Sequence, residues 1–189
     1  KLTEAGRKEI QLLNRKMIIT FMFVMMGFSL VSHEMVGFMV GEEFRRGVIV
    51  LYVLSVSVFS NFLYIFAVNI EYFYKKTTKI AIYTAISAIV NIVLNYFAIL
   101  FMGYIGAAFA TLCSRVLLLV LHTVQSRKLV RFDVVRDQDL FWPLLGVSVI
   151  SLFSYLFDEQ LVVRGITTVF VIGAAGRYVF YQFIKINER

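Results

Sequence analysis

The sequence predicts an all-α fold, a polytopic bundle of about six membrane-spanning helices. Three observations predict it. Six apolar stretches are each long enough to cross a bilayer; apolar side chains make up 60% of the 189 residues against 16% charged; and the basic residues gather in alternate connections. A soluble domain of this size carries about 45 to 50% apolar residues with Gly included and about 25% charged, so the excess here has no interior to occupy. The same composition, with a mean hydropathy of +0.80, sets aside disorder and nucleic-acid binding, because the net charge of +7 is diluted among 19 Phe and 10 Tyr. The lone cysteine, Cys113, allows no internal disulfide, and no CxxC or Cys/His cluster suggests zinc. No cofactor or metal is expected.

A hydrocarbon core of about 30 Å needs roughly 20 apolar residues in a helix, with every backbone polar group paired inside it. The stretches that satisfy this are 17–40, 47–73, 80–101, 104–124, 140–157 and 161–184. Residues 1–16 read as a cytoplasmic lead-in whose Leu2, Ile10, Leu12 and Leu13 rest on the headgroups, a free interfacial helix being the alternative. The chain opens on Lys1, and no small-residue cleavage site follows the first apolar run, so it reads as a piece of a longer protein without a signal peptide. His33 and Glu34 interrupt the first span. Only Met102 and Gly103 separate the third from the fourth, which demands a tight antiparallel hairpin. A basic loop, 125–139, follows. The fifth span is short, with Pro143 near its start, where a missing N–H is harmless. Residues 140–189 hold the last two spans and a tail. With no repeat and no long soluble loop, residues 17–189 form one membrane unit.

Lys and Arg accumulate in cytoplasmic loops. Fourteen fall before the first span, after the second, after the fourth and in the tail, including Arg7, Lys8, Arg15, Lys16, Lys75, Lys76, Lys79, Arg127, Lys128, Arg131 and Arg136. The opposite loops hold only Arg45, Arg46 and Arg164, so both ends of the chain are expected in the cytoplasm.

At 100° per residue, Thr84, Ser87, Asn91 and Asn95 share one face of the third span, opposite Ile82, Ile86, Ile89, Val93 and Leu100. In the fourth, Ala107, Ala108, Thr111, Ser114, Arg115, His122 and Gln125 share a face, opposite Ile105, Phe109, Leu112, Val116 and Leu119. In the second, Ser57, Ser60, Asn61, Tyr64 and Glu71 align. Small and hydroxylated residues at membrane interfaces serve close helix packing; Asn91 and Asn95 suit either interhelical hydrogen bonding or a water-filled cavity. Glu71, beside Lys75 and Lys76, reads as an interfacial residue, with ion coupling as the functional alternative.

Arg115 is the most informative residue, about 16 Å along the helix from Tyr104 and so near the midplane. A midplane Arg facing lipid costs roughly 2.5 to more than 10 kcal/mol, so it must face protein, water or an anionic ligand. No carboxylate of this chain is at its depth, since Glu34 and Glu71 are nearer the ends. Arg177 either contributes to such a cavity or snorkels to the headgroups. His33 and Glu34 mark an interfacial kink or carry protons; Glu42 and Glu43 are loop charges. There is no Gly-rich phosphate loop, no HExxH and no GxSxG, and the intramembrane set of amides, hydroxyls and Arg guides polar cargo rather than transferring protons. An enzyme is not expected.

The order Asn69, then Tyr74-Lys75-Lys76-Thr77-Thr78-Lys79, then Asn91-Ile92-Val93-Leu94-Asn95-Tyr96, then Gly103-Tyr104-Ile105-Gly106-Ala107-Ala108-Phe109-Ala110-Thr111 resembles the polysaccharide flippases of the multidrug/oligosaccharidyl-lipid/polysaccharide exporter superfamily. The resemblance covers under a third of the chain. It implies two lobes around an alternately opening cavity, with residues 17–124 as four helices of the second lobe and 140–184 as an extra C-terminal pair. The first lobe would lie in a missing N-terminal part of the same chain. The implied cargo is a lipid-linked oligosaccharide, a polyprenyl diphosphate glycan, moved across the bacterial inner membrane for O-antigen, capsule or related polysaccharide. Arg115, which is outside the shared motif and is assigned by its depth alone, then suits the diphosphate, and Asn61, Asn91, Asn95 and Thr111 suit sugar hydroxyls. A multidrug or organic-cation antiporter and a peptidoglycan-precursor flippase are the alternatives within the superfamily. A membrane-embedded glycan polymerase or acyltransferase, or a purely structural subunit, are the alternatives outside it.

Overall fold

In the computed structural model, which describes residues 4–39, 41, 47–130 and 134–187, the chain is all-helical. Lys1, Arg45, Arg46, Arg131, Arg189 and the loop carboxylates Glu42 and Glu43 lie outside the described residues. The elements are α1 (Glu4–Met39), α2 (Val48–Phe73), α3 (Thr77–Leu129), α4 (Asp137–Leu156) and α5 (Leu161–Asn187). All five have the length and apolar composition to cross a membrane, and the chain is a multi-pass membrane protein in contact with lipid.

α3 is two helices in one. At Gly103 the backbone takes φ 60° and ψ −143°, a region open essentially to glycine alone. The arms 77–102 and 104–129 fold back on each other there. A Cβ on Gly106 would collide with the backbone carbonyl of Ala98, two positions that a continuous helix would hold about 12 Å apart. The expected hairpin is thus present, and each of its arms is by itself long enough to cross a membrane. Its outer face, with Ile82, Ile86, Ile89, Val93 and Leu100 all exposed, is the apolar one the periodicity marked for lipid. In the second arm the pattern is less simple: Phe109 is exposed, but Leu119 joins the core because that arm packs on α2.

α2 packs against α1, α3 and α4, and α1 against α4 and α5. Ile18, Phe59, Leu63, Phe66, Leu119 and Val147 form the buried core, with the Phe21 and Phe62 rings 4.2 Å apart against it. Ser29 of α1 donates to Ser151 of α4 across a fully packed seam, and Ser32, Ser55, Ser60 and Ser154 return their hydroxyls to the carbonyl four residues back. Such internal bonds satisfy hydroxyls where no water is available.

Three local expectations change. The lead-in is neither loop nor separate helix: α1 is unbroken from Glu4, and it runs helically through His33 and Glu34 as well. Pro143 is not in the first turn, because α4 begins at Asp137; its missing N–H therefore removes a bond that the Asp139 carbonyl would otherwise accept. The α2 to α3 connection is tighter than a basic loop. Lys75 at φ 54° directs its N–H to the Tyr72 carbonyl, and the Lys76 N–H reaches Glu71, a left-handed helix cap that usually selects glycine.

The basic connections share one end of the bundle. There Asn14 donates to the Val134 carbonyl, Arg15 meets Asp139 at 3.4 Å, and Arg127 pairs with Asp137.

Candidate functional site

The polar stripes of the second, third and fourth crossings meet. Asn91 of the first arm of α3 donates to the Ser114 hydroxyl of the second arm at 3.0 Å, and the Ser87 hydroxyl donates to the Ser114 carbonyl at 2.7 Å. Asn95 donates to the Asn91 side-chain carbonyl at 3.0 Å. Thr111 turns its hydroxyl to the Ala107 carbonyl. Asn91 and Ser87 therefore tie the two arms together, with Asn95 bracing Asn91 from its own arm; Asn91 and Ser87, but not Asn95, line an open cleft of about 220 Å³ together with Thr84, Thr111, Ser114 and Arg115. Packing and cavity were alternatives for Asn91 on sequence; the structure gives it both positions at once.

Arg115 is exposed at the edge of this cleft, and its Nη1 donates to Asn61 Oδ1 of α2 at 2.6 Å. Its one hydrogen-bond partner among the described residues is a neutral amide. No carboxylate of the described residues forms an ion pair with it, so its charge is available to an anion.

About two turns along the helix from Arg115 toward the basic end, Glu71 and His122 form a sealed pair. Glu71 Oε1 and His122 Nδ1 are 2.7 Å apart, and both side chains are 0% exposed. The Tyr64 and Tyr83 rings stand edge-on to the imidazole, at 4.9 and 5.6 Å, and Tyr83 also donates to Gln125. Glu71 is therefore partnered by His122 and not by Lys75 or Lys76. The last turns of α2 lie flat on the second arm of α3, which directs its side chain inward to His122. His122 stood in the polar stripe of the fourth crossing but was not singled out; a titratable residue on that stripe near Glu71's level was the available signal.

His33 and Glu34 belong to a separate cluster at the other end. His33 Nδ1 lies 2.8 Å from Asp158 Oδ1, Tyr52 donates to the same carboxylate, and Arg164 pairs with Glu34 and approaches Asp158 at 3.9 Å. Arg164, assigned to a loop by charge counting, is 3% exposed. This cluster joins α1, α2, the α4–α5 turn and α5. Its bonded partners are up to 130 positions apart, so spacing gave no sign of it. Arg177 is exposed on α5, whose main contact is α1, and it does not join Arg115. Among the described residues no group of three His, Cys, Asp or Glu side chains is arranged to hold a metal ion.

Fold and cleft together define a polytopic membrane helix bundle with a polar, cation-bearing groove on its hairpin. Compared with protein-family models, curated proteins and solved structures, the chain matches none.

Proposed function

We propose that this chain forms one flank of a carrier that moves a lipid-linked oligosaccharide, a glycan on a polyprenyl diphosphate, across a bacterial cytoplasmic membrane. The basic end would face the cytoplasm, the chain would not be an enzyme, and a second lobe would complete the conduit. The observation that carries the reading is Arg115. A guanidinium deep in an apolar hairpin, partnered by an amide rather than a carboxylate and opening onto a hydroxyl- and amide-lined cleft, suits a diphosphate beside sugar hydroxyls. A cation within a membrane span is costly to leave facing lipid, and an anionic cargo would supply the counter-charge that no carboxylate of the described residues gives it. The motif resemblance along 69–111, of which Arg115 is not a part, supports the same cargo.

Complementation tests it. In a strain lacking this protein, surface polysaccharide is expected to fall, the unaltered protein to restore it, and Arg115→Gln at matched membrane level to leave it low. Full restoration by Arg115→Gln would remove Arg115 from the mechanism. Unchanged polysaccharide on deletion would overturn the cargo.

A further inference from the structure

A second groove, of about 370 Å³, lies between α1 and α4 at the basic end, on the opposite side of α2 from the hairpin cleft. Ile19, Met22 and Pro143 make its floor, and Arg15, Arg136 and Trp142 its rim. Two arginines share one carboxylate: Arg136 holds Asp139 with Nε at 2.8 Å and Nη2 at 3.2 Å, while Arg15 approaches at 3.4 Å. Asp139 is 8% exposed, and the neighbouring Asp137 is already paired with Arg127. The rim therefore keeps one surplus positive charge, with Arg15 half exposed. Trp142 and Phe141 are both exposed beside it, at the start of a membrane-crossing helix where aromatic rings sit at headgroup level.

We propose that this groove binds an anionic phospholipid, its phosphate on Arg15 and Arg136 and an acyl chain along Ile19 and Met22. The charge supplies the headgroup preference. Asp139 is held through two bonds by Arg136 and more loosely by the half-exposed Arg15, so Arg15 is the guanidinium that can turn toward the phosphate, with Ile19 and Met22 as the apolar lining beside it. The site is separate from the Arg115 cleft and does not depend on its cargo.

Trp142 is the sole tryptophan of the chain, so it reports on this groove directly. The protein is placed in vesicles of dibrominated phosphatidylglycerol or dibrominated phosphatidylcholine, diluted with the unbrominated lipid, and the quenching of Trp142 on contact is titrated. Phosphatidylglycerol is expected to bind about fivefold more tightly than phosphatidylcholine, the effect of one net positive charge at a membrane surface. Arg15→Gln, which leaves Asp139 held by Arg136, should bring that ratio to about one, and Arg15→Lys should retain it. Inorganic phosphate at constant ionic strength should not displace the lipid. A ratio of one in the unaltered protein, a ratio unchanged by Arg15→Gln, or displacement by free phosphate would each overturn the proposal.

Discussion

Arg164 and Arg115 both lie on membrane-length helices, and they are held in opposite ways. Arg164 is buried against two carboxylates, Glu34 and Asp158, with His33 and Tyr52 closing the cluster. Arg115 is exposed to a cleft and touches one neutral amide. A cation whose counter-charge comes from its own chain is structural, because removing it leaves uncompensated carboxylates. A cation partnered only by an amide contributes little to the fold and keeps its charge for something else. Depth in the membrane alone would have ranked the two the other way round.

The comparison can be broken most severely at Arg164. Arg164→Ala should destabilise the protein by about 3 kcal/mol, the lower end for a broken buried pair since Glu34 and Asp158 retain some water; thermal unfolding in detergent reads it, and a change under about 1 kcal/mol would make the cluster a surface feature. Gly106→Ala comes next. Its Cβ meets the Ala98 backbone, which cannot move aside, so about 2 kcal/mol is expected, together with a wider separation of spin labels placed on the two arms. An unchanged melt would mean that the hairpin has slack.

Glu71→Ala should cost about 1 to 2 kcal/mol by leaving His122 buried without its partner. Replacing both, as Glu71→Leu with His122→Phe, should recover most of that loss. A double variant as unstable as the sum of the single changes would show that the pair is not a closed unit. The smallest stability effect is expected at Arg115: Arg115→Gln should shift unfolding by less than about 0.5 kcal/mol, and a loss as large as that of Arg164→Ala would erase the distinction between the two arginines.

Helical periodicity carried much of this site. The stripes through Ser57 to Glu71, Thr84 to Asn95 and Thr111 to Gln125 face one another as their spacing implied, because each crossing must turn its polar side away from lipid. Gly103 likewise announced the reversal. Partner choice was not legible. Glu71 has two lysines within five residues yet bonds to His122, and Arg164 sits in sequence like a loop charge yet closes a cluster across 130 positions. Local spacing cannot rank a neighbour along the chain against one brought alongside by packing.

The amino-acid sequence alone determined that this chain is a multi-pass membrane protein, where it doubles back and which faces of the hairpin avoid lipid, since all of these follow from the cost of exposing backbone and charge to hydrocarbon. Only the tertiary structure decided which charges neutralise one another inside the bundle and which stands open to a cleft. That depends on how α2 seats between α1, α3 and α4, a matter of shape complementarity among side chains far apart along the chain.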